Sequence, residues 1–131
     1  MRYKNIQNKE NRLRKFLMIV EDFGFIENTV YQYFVKDGYE LISARNMRQA
    51  LTLGEWEQPE AIIIDYEMLL DDPYLIISVL HNALPSCQII LINGRIRFCD
   101  QQKALIAGAN QVLMRIFNPS TLEGLIVHER Y

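Results

Sequence analysis

The 131-residue chain has little of what staples or breaks a small fold: two cysteines, two histidines, four prolines and six glycines. Cys87 and Cys99 form no C-x-x-C pair, and His81 and His128 have no metal-ligand partner at helical spacing. Disulfide scaffolds and zinc modules are excluded, and free thiols in a reducing compartment are expected. No apolar run approaches the ~20 residues of a membrane span. The leading MRYKNIQNKENRLRK has no apolar signal-peptide core behind its charges. The first apolar run is followed by Glu21-Asp22-Phe23-Gly24, with a single glycine. Dinucleotide or nucleoside triphosphate binding by a glycine-rich loop is therefore excluded. The expected setting is cytoplasmic, with no membrane partner.

What is present is a core. Half of the residues are apolar and 23% are charged, which suits one folded domain of this length. The net charge of −2 is unevenly spread. Residues 1–15 carry six basic side chains (Arg2, Lys4, Lys9, Arg12, Arg14, Lys15) against Glu10, for +5, whereas the remaining 116 carry −7. The reading is a basic polar arm over 1–14 and an acidic domain over 15–131. An acidic body repels nucleic acid phosphate, so direct nucleic acid binding by this domain is not expected.

From Phe16 onward, short apolar runs alternate with segments of helical period. The runs are Phe16–Val20, Glu40–Ser43, Ala61–Ile64, Gln88–Ile92 and Gln111–Met114, aliphatic and mostly without polar alternation. Strands covered on both faces read this way. Phe25 to Lys36 places Ile26, Val30, Tyr33 and Phe34 on one stripe, with Gly38 as the stop. Asn46 caps a helix through Met47, Ala50, Leu51 and Leu53. Asp72-Pro73 opens one through Leu75, Ile76, Val79 and Leu80. A fourth helix runs from Phe98 to Ala107, and Asn118-Pro119 starts a last one through Leu122, Leu125 and Ile126. Five βα units with short connections predict right-handed crossovers on a parallel sheet, a doubly wound α/β three-layer sandwich.

In such sheets chemistry gathers at the carboxyl ends of the strands. Those ends carry Glu21, Asp22, Asp65, Asn93 and Arg115. Clustered carboxylates repel one another unless a cation joins them, and a hard ion such as Mg²⁺ takes oxygen ligands. One carboxylate can then serve as nucleophile toward a phosphoryl group, with a cation and a neutral donor completing the cradle. Arg115 and Asn93 hold those two places.

These features carry a resemblance. FLMIVED, KDGYELISARNMRQAL, PEAIIIDYEM, ALIAGANQVLM and FNPSTLEGLI stand in the order and at the spacing of a receiver domain of two-component response regulators. The resemblance covers the chain from Lys15 to its end. It implies a flavodoxin-like five-stranded parallel sheet in 2-1-3-4-5 order. It implies Asp65 as phosphoacceptor, served by a histidine kinase or phosphotransfer protein. Mg²⁺ would be held by Glu21, Asp22, Asp65 and the backbone carbonyl of Glu67. Signalling would run through the fourth helix, fifth strand and fifth helix to a downstream target or an output domain outside this sequence. A homodimer through the last two helices is a further expectation.

The departures from the family pattern are specific. Asn93 stands in place of a serine or threonine, Arg115 in place of lysine, and Val112 in place of the switch aromatic. Arg115 keeps the charge, but as a planar fork. Ile116 replaces a proline whose bond is usually cis; a cis bond there would cost about 3 kcal/mol, so a trans bond is expected. Leu69 and Pro73 replace the usual proline and glycine after Asp65. Glu67 and Arg95 are expected to face each other across the mouth of the site, where an exposed ion pair is worth ~0–1 kcal/mol.

Three functions follow from this reading: a phosphorylated receiver, a pseudo-receiver acting as a constitutive docking module, and a phosphatase with an aspartyl nucleophile. The third wants a second acid in a D-x-D pattern, which Glu67 only imitates, so no enzyme is expected. Trp56 is expected to cover the lower edge of the sheet, and Tyr31, Tyr33 and Phe34 to divide between core and helix surface.

Overall fold

The computed structural model describes residues 15–21, 24–66, 72–94, 98–114 and 118–127, with the backbone alone for 93, 98, 99 and 127. The basic arm over 1–14 and His128 lie outside the described residues. Five strands alternate with five helices: β1 Lys15–Val20, α1 Phe25–Val35, β2 Tyr39–Ala44, α2 Met47–Glu57, β3 Ala61–Asp65, α3 Pro73–Ala83, β4 Gln88–Asn93, α4 Phe98–Ala107, β5 Gln111–Met114 and α5 Pro119–Val127. The strands pair in parallel in the order β2-β1-β3-β4-β5, the doubly wound arrangement expected.

The sheet divides the core in two. Leu17, Ile19, Ala61, Ile63, Ile90 and Ile92 face Ile26, Val30 and Phe34 of α1 and Leu122 and Ile126 of α5. Met18, Val20, Ile62, Ile64, Ile89 and Leu91 face α2, α3 and α4. Alternating side chains of three central strands thus fill both layers, which is why those runs read as unbroken aliphatic stretches. β2 is an edge strand and is only partly covered, with Glu40 and Ser43 exposed.

The helix starts obey the local signals. Asn46 accepts the Gln49 N–H at 2.9 Å, Asp72 accepts the Tyr74 N–H at 2.9 Å, and Asn118 accepts the Ser120 N–H at 2.9 Å. Each cap satisfies an otherwise orphaned donor and is worth about 1 kcal/mol. Trp56 keeps 43% of its surface in solvent. Tyr31 is exposed and Phe34 is core.

Candidate functional site

The register sets the site. Val20 pairs with Ile64, so Glu21 and Asp65 stand level at the ends of adjacent strands. Asp65 pairs with Ile92, and Asn93 follows one residue beyond. Adjacent strands lie ~5 Å apart, so three chemistry-bearing positions share one edge. Asp22, Glu67, Arg95, Arg115 and Ile116 lie outside the described residues, as does the side chain of Asn93. The expected Glu67–Arg95 pair and the trans bond before Ile116 therefore have no structural counterpart to report.

Asp65 is 1% exposed and Glu21 4%. Among the described residues they are the only buried charged side chains. Burying a carboxylate is costly unless hydrogen bonds replace its water. For Glu21 the replacement is visible. Oε1 accepts the Ile26 N–H at 2.7 Å and Oε2 accepts the Glu27 N–H at 2.9 Å. The residue before α1 is Gly24, at φ 75°, which has no side chain to cap the helix. Glu21 supplies the missing cap from three residues upstream, its charge facing the positive end of the helix dipole. The Glu27 carboxylate in turn accepts the Ser43 hydroxyl at 2.7 Å, tying α1 to β2. No sequence rule reveals this cap, because capping signals are sought immediately before the helix.

The donors at this edge are hard carboxylate oxygens, the type that Mg²⁺ takes. A carboxylate offers about four lone-pair sites, so the two N–H bonds leave Glu21 able to accept more. Among the described residues no group of three or more His, Cys, Asp or Glu side chains is placed to hold a metal. The expected set is completed by Asp22 and Glu67, which are not among them.

Over residues 17–127 the sequence matches the response regulator receiver domain family. The chain belongs to that family.

A probable transcriptional regulator, ycf27 of Porphyra purpurea, is 29% identical over 117 residues, which is 89% of this chain and 47% of that protein. The receiver thus spans about half the length of the ycf27 regulators it matches. Protein PilG of Pseudomonas aeruginosa is 27% identical over 112 residues, covering 84% of this chain and 83% of PilG. Among solved structures, a CheY-like receiver domain from Methanospirillum hungatei superimposes with a TM-score of 0.79 at 23% identity, over 88% of this chain and 93% of that one. A response regulator from Burkholderia pseudomallei, solved with a phosphorylated aspartic acid and a calcium ion, gives 0.77 at 22% identity, over 86% of this chain and 66% of its own. At such identities the structural likeness establishes the fold.

Two further features of this receiver bear on its site. Val112 on β5 is buried among the α2–α4-side aliphatics, so that position has neither a ring nor a hydroxyl. Tyr66, the residue after Asp65, meets Tyr74 of α3 edge-to-face, with ring centroids 6.0 Å apart. Sequence reasoning missed this contact, since the partners stand eight positions apart and belong to different elements. At the margin of α4 and β5, Ile106 and Met114 are 83% and 55% exposed, and Leu105 is partly uncovered. No described helix is long and apolar enough to cross a membrane.

Proposed function

We propose that the chain is a phosphorylatable receiver that accepts a phosphoryl group on Asp65 from a histidine kinase or phosphotransfer protein and signals by changing what it binds. The observation that carries this reading is the buried pair Glu21 and Asp65, level on adjacent strand ends and, among the described residues, the only buried charges in an apolar interior. Two carboxylates are not kept in such a place for packing. An Asp65 oxygen attacks the phosphorus of a phosphohistidine, the P–N bond breaks, and an acyl phosphate forms. Asn93 and Arg115 are the neutral donor and the cation assigned to the phosphoryl oxygens.

Glu21, Asp22, Asp65 and the Glu67 carbonyl are the oxygen donors for Mg²⁺, which when bound offsets the negative charge of the transferring group. Glu21 also holds the start of α1, so the carboxylate edge keeps its shape before any ion arrives. The uncovered Leu105, Ile106 and Met114 suit the face that meets a target, an output domain or a second copy. The setting that fits this chemistry is the cytoplasm, where kinases and Mg²⁺ are at hand.

The second reading is a pseudo-receiver that docks constitutively. It is favoured by the engagement of both Glu21 oxygens with backbone and by the aliphatic Val112. Incubation with phosphoramidate and Mg²⁺ followed by intact-mass measurement separates the two. A single phosphoryl adduct, labile to hydroxylamine and missing from Asp65→Asn, is the expected result. A folded protein that stays unmodified would leave the docking module as the function.

A further inference from the structure

Asp65 is joined by its own peptide bond to Tyr66, and Tyr66 does not stand alone. Its ring meets the Tyr74 ring edge-to-face, at an interplanar angle of 66°. The Tyr74 hydroxyl in turn reaches Asp100 Oδ1, at 3.4 Å, in the first turn of α4. Lys103, one turn on, holds its ammonium 6.0 Å from the centre of the Tyr74 ring. Both tyrosines pack against the core layer beneath α2, α3 and α4. A continuous path of contacts therefore leaves the strand end at Asp65, crosses the start of α3 and enters the start of α4.

The path has the properties of a relay rather than of a passive prop. Burial first, then Tyr66, then Asp100 raise the Tyr74 pKa above its ordinary value, so its hydroxyl keeps its proton at neutral pH. A hydroxyl has one proton to donate. While that proton serves Asp100, the reach of the Tyr74 hydroxyl to α4 and the seat of its ring against Tyr66 are set together, because both belong to one side chain. The bond to Asp100 is long and correspondingly easy to exchange. A tetrahedral anion on Asp65 adds bulk and charge at the strand end, next to the backbone that carries Tyr66.

We propose that Tyr74 is a positioning residue that, through Tyr66 on one side and Asp100 on the other, transmits the state of Asp65 to the first turn of α4. The inference rests on the phosphorylation reading above, and it names the route by which that site would reach the α4 surface.

The test is an amide NMR titration of the full chain with Mg²⁺ and beryllofluoride, which occupies a phosphoacceptor aspartate without covalent chemistry. Wild type is expected to show saturable shifts at the ends of β1, β3 and β4 and throughout α4. Tyr74→Phe keeps the ring and loses the hydroxyl. Its strand-end shifts and apparent affinity should match wild type, while its α4 shifts fall at least about twofold. Asp100→Asn keeps an acceptor oxygen and should retain most of the α4 response, which a merely structural role for Tyr74 does not require. Full α4 shifts in Tyr74→Phe would overturn the relay while leaving the phosphorylation reading intact. No strand-end response in wild type overturns that reading and the relay with it. Should Tyr74→Phe fail to fold, Tyr66→Leu removes the ring contact, cuts the same path from the other side and is judged by the same two outcomes.

Discussion

Glu21 reaches across Gly24 to Ile26: its Oε1 accepts the Ile26 N–H at 2.7 Å, and the neighbouring Oε2 takes the N–H of Glu27. An acid expected only to hold a cation is also the N-terminal cap of α1. Stability should therefore depend on it in the absence of any metal. Glu21→Ala is expected to lower the unfolding free energy by about 1–2 kcal/mol in EDTA, and Glu21→Gln by less, since one acceptor oxygen remains. Urea unfolding with an unchanged slope checks this. Equal midpoints for wild type and Glu21→Ala would mean that the two backbone bonds contribute nothing.

Gly108 closes α4 at φ +127°, and a Cβ built there would lie 2.6 Å from Cγ and 2.7 Å from Cβ of His81 on α3. Two separate costs attach to Gly108→Ala: backbone strain of about 1–3 kcal/mol, and a clash with the stem of a side chain that has no flexible end to move. The loss should reach at least ~2 kcal/mol. Adding His81→Ala should recover the steric part and leave the backbone part, so a thermal double-mutant cycle will show coupling. Additive effects would place the whole cost in the backbone.

The turn after α1 meets α5 through Lys36 and Glu123. A hydrogen bond with Asp37, then burial and the Asp37 charge, raise the Glu123 pKa above its ordinary value, while Lys36, 3.6 Å away, pulls it down. An acid whose folded pKa is raised stabilises the fold below its unfolded pKa, and this contribution fades as pH rises through the folded value. The stability of wild type relative to Glu123→Gln should thus fall as pH rises above the ordinary carboxylate range, opposite to the usual trend for a paired carboxylate. Urea midpoints at several pH values test the sign. A rising difference would mean that Lys36, not Asp37, governs Glu123.

Cys87 is a free, buried thiol beside a cleft of about 250 Å³ lined by Gln58, Pro59, Glu60, Leu84 and Pro85. Burial, then the Glu60 charge, pushes its pKa up to about 12, so almost no thiolate exists at neutral pH. In a Cys99→Ser background, alkylation of native protein should run at least ~100-fold slower than in denaturant, because reaction waits on local opening. Labelling at comparable rates would mean that the cleft gives reagents direct access.

The fold was legible because two independent signals agreed. Ile62 to Ile64 and Ile89 to Ile92 are aliphatic at every position, as only a strand buried on both faces can be, and Asn46, Asp72 and Asn118 mark helix starts by local chemistry. Of the site, the strand-end placement of Glu21, Asp65 and Asn93 follows from topology alone. What the sequence hid was use rather than position. The bonds from Ile26 and Glu27 to Glu21, and the meeting of Tyr66 with Tyr74, join residues of successive elements, and no residue spacing encodes them.

The order β2-β1-β3-β4-β5 has a consequence for synthesis of the chain. No strand has to be inserted between two that are already paired. β1 and β2 emerge first and can join, β3 adds to the open side of β1, and β4 and β5 then extend that same side one at a time. Each strand leaving the ribosome finds a finished edge to add to, so the sheet can be laid down in the sequence of translation. The carboxylate edge is half assembled once Asp65 arrives beside Glu21, before the segments carrying Asn93 and Arg115 have been made.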